Sequence, residues 1–169
     1  MSASVEEHRE AAPDSVRCAV ITVSDSRTKD DDKSGRVMIE SLQGAGHELI
    51  GYEIIKDDPS RIGQLLDKYA DDPECQAILF NGGTGIAQRD STYDVIAGKL
   101  EKTLPGFGEL FRMLSYEEIG AAAMLTRATA GVYRGRLVFS TPGSSNAVKL
   151  AMNELITEEL SHLVYEAIK

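Results

Sequence analysis

The sequence predicts a three-layer α/β/α sandwich built on a mainly parallel sheet. Three observations carry that reading. The run at residues 16–24 (VRCAVITVS) is rich in β-branched residues and lacks strict alternation, as a strand covered on both faces requires. Segments of helical period separate it from further apolar runs at 47–55 and 77–80, giving the order β-α-β-α-β. The third run then passes straight into Asn81-Gly82-Gly83-Thr84-Gly85, and a glycine break at the carboxyl end of a strand is where such sheets bind ligands.

Each element has its own signal. After the charged loop 25–33, Ser34 starts a helix with Val37, Met38, Leu42 and Ala45 on its period, stopped at Gly44 and Gly46. Residues 47–55 form the second strand. Asp58-Pro59 supplies an N-cap and a proline at the first helical position, and Ile62, Leu65, Leu66, Tyr69 and Ala70 line one face of the helix that follows. Another helix starts at Ser91, with Asp94 in place of the glutamate of a capping box. Leu104-Pro105-Gly106 breaks the chain, and residues 107–127 read as two short helices. Residues 130–133 and 136–140 read as strands around a Tyr133-Arg134-Gly135-Arg136 turn. Thr141-Pro142-Gly143-Ser144-Ser145 is a second strand-to-loop break, and residues 146–168 form a long, mostly apolar helix.

The composition narrows the function classes. With 18 Lys and Arg against 27 Asp and Glu among 169 residues, the formal charge is −9. A surface dominated by carboxylates gives no general affinity for nucleic acid or anionic membranes. Residues 1–14 carry Glu6, Glu7, Glu10 and Asp14 without an apolar core, which is expected of a disordered N-terminal tail rather than a signal peptide; residues 15–169 are expected to form a single domain. No window approaches the ~20 apolar residues of a membrane helix, and a cytoplasmic location is expected. Cys18 and Cys75 lie far apart beside apolar runs and are expected as buried, reduced thiols. His8, His47 and His162 make no transition-metal spacing, which argues against a transition-metal site but not against carboxylate-held Mg²⁺.

The residues that carry chemistry cluster at predicted strand ends. Glycines at Gly82, Gly83 and Gly85 let backbone N–H groups approach an anion closely. The spacing is neither a dinucleotide fingerprint nor a Walker A loop, because no third glycine follows at the required place and no Gly-Lys-Ser/Thr is present. Asp57, Asp58 and Asp90 fall at the same carboxyl edge if the sheet is parallel there, and paired carboxylates beside an anion cradle suit Mg²⁺-dependent phosphoryl or nucleotidyl transfer. Asp58 is also explained as an N-cap, and Ser144 and Ser145 either cap the last helix or meet a ligand at its positive end. The run at 30–32 reads as a solvated loop. Phe107, Leu110, Phe111 and Leu114 read as core or subunit interface, and Arg27, Arg89 and Arg112 are the candidates for local positive charge near an anionic substrate.

Taken in order, Gly82-Gly83-Thr84-Gly85, Arg89-Asp90, the stretch PGFGELFRMLSYEEIG from Pro105, Thr126-Arg127-Ala128 and Pro142-Gly143-Ser144 resemble the molybdopterin-binding family, from about Val16 to the last helix. Membership implies a three-layer α/β fold, a homotrimer or homohexamer, and work in molybdenum cofactor assembly beside other proteins of that pathway. Related adenylyltransferases, among them the G domain of gephyrin, transfer AMP from Mg-ATP to the terminal phosphate of molybdopterin and release pyrophosphate. By position, Asp57 and Asp90 match the family's catalytic, Mg²⁺-holding aspartates, with Asp58 the alternative to Asp57. Gly82, Gly83, Thr84 and Gly85 match the nucleotide and phosphate loop, Pro142, Gly143 and Ser144 the second ligand loop, and Asp25 a further contact. The resemblance also admits a protein that binds molybdopterin or its precursor without transferring AMP.

Overall fold

The computed structural model describes residue 7 and residues 9–169. Strand β1 (Arg17–Val23) is followed by helix α1 (Lys33–Gly44), β2 (Glu48–Ile55), α2 (Pro59–Asp71), β3 (Ala77–Asn81) and α3 (Thr92–Lys99). The short β4 (Lys102–Thr103) leads to α4 (Pro105–Ile119), a 3₁₀ turn (Gly120–Leu125), and the hairpin of β5 (Thr129–Tyr133) and β6 (Arg136–Thr141). A last helical run comprises α5 (Ser145–Ala151), one π turn (Met152–Ile156) and α6 (Thr157–Ile168). Of the expected tail, residues 1–6 and His8 lie outside the described residues, whereas Arg9, Glu10 and Ala11 are helical and Arg9 pairs with Glu159.

The strands make one sheet in the order β2-β1-β3-β6-β5-β4. β2, β1, β3 and β6 are parallel, and β5 runs antiparallel to both of its neighbours, so the expected mainly parallel sheet is what forms. The β5–β6 reversal uses two residues, Arg134 at φ 47° and Gly135 at φ 72°, whose left-handed backbone matches the strand twist. β1 is buried from Cys18 to Val23 because helices cover both faces. Val20, Leu79, Leu137 and Phe139 pack on α1, α4, α5 and α6, while Ile21, Ile78, Phe80 and Val138 pack on α2 and α3. Cys18 and Cys75 are buried free thiols, as expected, and burial pushes Cys75 up to about 11. Among the described residues no helix is long and apolar enough to cross a membrane.

Several local expectations need correction. Residues 107–127 do not split into two short α-helices: α4 runs unbroken for 15 residues and a 3₁₀ turn follows at Gly120, whose φ of 65° ends the helix. β4 has two exposed polar residues and so no apolar signal in the sequence. The capping box at Ser91 does not form, because Ser91 gives its hydroxyl to Asp57 while Asp94 pairs with Arg127. The helix read as starting at Ser34 starts one residue earlier, and its cap is Asp32.

That cap also corrects the reading of residues 30–32 as a solvated loop, since Asp32 is fully buried. Its carboxylate accepts hydrogen bonds from the Gly35 amide at 3.0 Å, the Ser34 hydroxyl at 3.2 Å and the Tyr52 hydroxyl at 2.5 Å. The Ser34 hydroxyl sits 2.8 Å from Asn81 Oδ1, and Asn81 Nδ2 donates to Thr22 Oγ1 at 3.0 Å. α1, β2, β1 and β3 are thus joined at one end of the sheet by a connected polar network, and a buried carboxylate is tolerated because its lone pairs are satisfied.

Burial alone would raise the Asp32 carboxyl, yet hydrogen bonds from Thr22, Tyr52, Gly35 and Ser34 outweigh it and hold the group below its ordinary 3.8. The Lys68 ammonium holds Glu53, and the Lys99 ammonium Asp67, below their ordinary values. His47 accepts from the Val16 amide, and burial pulls it below its ordinary 6.5. All four groups bind protons more readily unfolded than folded, so stability is lost as the pH falls, first through 6.5 and then through the carboxylate range. Thermal melts should therefore show a falling unfolding temperature on acidification, with Asp32→Asn flattening the limb below about pH 4. An unfolding temperature independent of pH down to about 3 contradicts this assignment.

Candidate functional site

The carboxyl ends of β1, β2, β3 and β6 meet at one edge of the sheet, as parallel strands require. An open cavity of about 420 Å³ lies there, with Gly82, Gly83, Thr84, Gly85 and Gly143 along its base and Arg27, Asp90, Leu125 and Pro142 among its walls. The loops are set close together. Gly82 has φ 98°, and a side chain on it would strike the Val23 carbonyl; a Cβ on Gly143 would lie 3.0 Å from Gly82 Cα. Only glycine lets the loops at Gly82 and Gly143 and the end of β1 touch in this way.

The orientation of the glycine loop follows from where its carbonyls go. Gly83 O accepts from the Thr92 amide at 3.0 Å, which docks the start of α3 on the loop. Arg127 Nε donates to Thr84 O at 3.1 Å and Nη2 to Gly85 O at 2.5 Å. The guanidinium is held in turn by Asp94 at 3.0 Å and by the ring of Tyr93, 4.7 Å away. Across a trans peptide the carbonyl and the following N–H point in opposite directions, and the described residues contain no cis bond. With three successive carbonyls engaged, the amides of Thr84, Gly85 and Ile86 each point away from the group that holds the preceding carbonyl, and they have no hydrogen-bond acceptor among the described residues. Consecutive outward amides make a concavity for an anion.

The three aspartates separate by role. Asp58 caps α2 by accepting from the Arg61 amide at 2.8 Å. Asp57 points at the glycine loop, since a side chain on Gly83 would strike its Oδ2, and it accepts from the Ser91 amide at 3.1 Å and from the Ser91 hydroxyl. Asp90 lines the cavity and packs against Gly85. Beside these, Thr92 Oγ1 is a buried hydroxyl with no hydrogen-bond partner among the described residues, lying against Gly83. Among the described residues no three His, Cys, Asp or Glu side chains converge as a metal-holding group.

The remaining expected residues divide in the same way. Gly82, Gly83, Thr84, Gly85, Pro142 and Gly143 come together around the cavity. Ser144 is just beyond the wall and caps α5 through the Ala147 amide at 3.2 Å. Asp25 also stands outside the wall, pairing with Arg89 and accepting from the Asp57 amide at 3.2 Å. Of the three arginines considered as local positive charge, Arg27 alone lines the cavity; Arg89 is paired, and Arg112 points at the carbonyls of Thr126 and Ala128. Sequence reasoning gave no role to Arg127, although its place in Thr126-Arg127-Ala128 was a signal, and it missed Thr92 and Leu125.

Comparison with known proteins bears on the same residues. The family described as "Probable molybdopterin binding domain" matches residues 19–162. A Bacillus subtilis (strain 168) protein named molybdenum cofactor biosynthesis protein B is 56% identical over 167 residues, 98% of each chain. A crystal structure of a molybdenum cofactor biosynthesis protein B superposes with a TM-score of 0.89 at 49% identity, covering 92% of this chain and 98% of that one. The tungsten cofactor synthesizing protein MoaB of Pyrococcus furiosus does so with a TM-score of 0.85 at 42% identity, covering 94% and 100%. The MogA structure, at 22% identity and a TM-score of 0.79 over 89% of this chain and 99% of that one, shares the fold. From the extent of these matches and the near full-length identity, the chain belongs to the molybdopterin-binding domain family.

Proposed function

We propose that this protein works in molybdenum cofactor biosynthesis, where it adenylylates molybdopterin at the expense of Mg-ATP. The observation that carries the reading is the juxtaposition in one cavity of the Asp90 carboxylate with Thr84 and Gly85, whose amides have no hydrogen-bond acceptor among the described residues. A phosphate seated on the amides of Thr84, Gly85 and Ile86 has its charge met by fixed dipoles that need no reorganisation. Val23, Leu125 and Pro142 supply an apolar wall suited to a flat ring of adenine or pterin. In the reaction the terminal phosphate oxygen of molybdopterin forms a bond to the α-phosphorus of ATP as the bond to the β-phosphate oxygen breaks, and pyrophosphate leaves. The protein's part is to hold the two phosphates in line.

Mg²⁺ fits this donor set. It takes one or two carboxylates and completes its shell with phosphate oxygens and water, so a cluster of three side chains is unnecessary. Asp90 would hold it from the cavity wall, and Asp57 from beside the loop. The ion supplies neutralisation of the charge that gathers on the phosphates. Ser91 keeps Asp57 oriented toward the loop.

One observation favours a second reading. Asp57 is committed to the start of α3 and lies outside the cavity wall, which leaves one carboxylate facing the ligand space. A protein that holds molybdopterin without transferring AMP needs no second one. Pyrophosphate release from Mg-ATP separates the two. We expect release that depends on molybdopterin and falls about 100-fold in Asp90→Asn with the unfolding temperature retained. Molybdopterin binding without any pyrophosphate release contradicts transfer and leaves the carrier.

The assembly belongs to the same proposal. Phe107 and Phe111 of α4 are buried, but Leu110, Met113, Tyr116 and Ile119 are about half exposed, and Met124 beyond them is 82% exposed. So much apolar surface on one helix and its following turn is suited to association as a homotrimer or homohexamer, working in the cytoplasm with other proteins of the pathway. Sedimentation should give a trimer or hexamer at micromolar concentration, and Met113→Glu should shift it toward monomer. A monomeric parent contradicts the assignment.

A further inference from the structure

We infer that Arg27 is the side chain that binds a phosphate oxyanion in the cavity, and that buried Asp32 is the positioning residue that aims it. The inference rests on reading the cavity as a phosphate-ester site but not on adenylyl transfer. Its first support is electrostatic. The chain carries −9, and among the residues lining the cavity Arg27 is the one cation, facing a wall that also holds Asp90. An anion entering against that field has this guanidinium to meet.

The second support is geometric. Arg27 Nη2 donates to Gly143 O at 3.0 Å and Nη1 to Ser34 Oγ at 2.5 Å, so the planar group bridges the second ligand loop and the start of α1. Asp32 Oδ1 is 3.6 Å from Nη1, an ion pair beyond hydrogen-bond distance, because its oxygens are already taken by Gly35, Ser34 and Tyr52. Asp32 therefore anchors the charge without consuming the fork, and three of the five guanidinium N–H donors have no hydrogen-bond partner among the described residues on a side chain that lines the cavity. Arg27 is about one-third exposed, the state of a group that is held but still reachable.

The shared ligand chemistry is a phosphate ester or polyphosphate, which ATP and molybdopterin both carry. Calorimetric titration of the full-length protein with ATP, inorganic pyrophosphate, molybdopterin and adenosine separates the sources. Arg27→Gln should weaken phosphate-bearing ligands about 10–100-fold, the loss of one charge-assisted contact, with adenosine affinity unchanged. Asp32→Asn keeps the cation but should weaken the same ligands about tenfold and again spare adenosine, a selectivity that a merely structural role does not produce. Loss confined to ATP and pyrophosphate assigns Arg27 to the nucleotide; loss confined to molybdopterin assigns it to the pterin phosphate. Should Arg27→Gln fail to fold, Arg27→Lys decides, with phosphate binding several-fold weaker than the parent supporting the role. Parent-like phosphate binding in the variant, or an equal loss of adenosine, overturns it. A parent that releases no pyrophosphate yet shows Arg27-dependent binding loses the transferase reading alone.

Discussion

Three neighbouring carbonyls, those of Gly83, Thr84 and Gly85, are engaged by the Thr92 amide and the Arg127 guanidinium. Because each peptide is planar and trans, tying each carbonyl down turns the following amide away from the group that holds it. Much of the site depends on this single constraint. It leaves the following amides without a hydrogen-bond acceptor among the described residues, it seats α3 on the loop, and Asp90 lies against Gly85 beside them. The glycines permit the close approach, but the direction of the dipoles is set by groups outside the loop.

A second layer lies beneath. Asp32, Ser34, Tyr52, Asn81 and Thr22 form a network that fastens α1 to the carboxyl ends of β1, β2 and β3 and gives Arg27 its anchor. An acidic chain with the proposed phosphate-bearing ligands needs positive charge concentrated at its site. Here a buried carboxylate holds one arginine at the cavity wall, while Arg89 is paired with Asp25 and Arg127 with Asp94. Charge is thus placed rather than accumulated.

Most of the architecture is legible in the chain because apolar periodicity reports burial directly. The three early strands, the helix after Asp58-Pro59 and the two loops at strand ends could be placed from local sequence. β4 could not, since two polar residues paired on an edge carry no pattern. Within 30–32 the sequence offers three equivalent aspartates, and only the fold decides that Asp32 is buried while its neighbours are exposed. Arg127 lies 42 residues beyond Gly85, and no local rule links a guanidinium to carbonyls at that separation. Ser144 and Asp25 were legible as polar residues near the site, but a cap and an ion pair account for their contacts.

In the proposed complex, ligand sits on the amides of the glycine loop. Hydrogen exchange followed with and without Mg-ATP and molybdopterin tests it directly, because those amides have no hydrogen-bond acceptor among the described residues and gain one when an anion seats on them. The expected result is new protection at Thr84, Gly85 and Ile86 when ligand binds. Saturating ligand with exchange unchanged across that loop, and protection appearing elsewhere, would contradict the account.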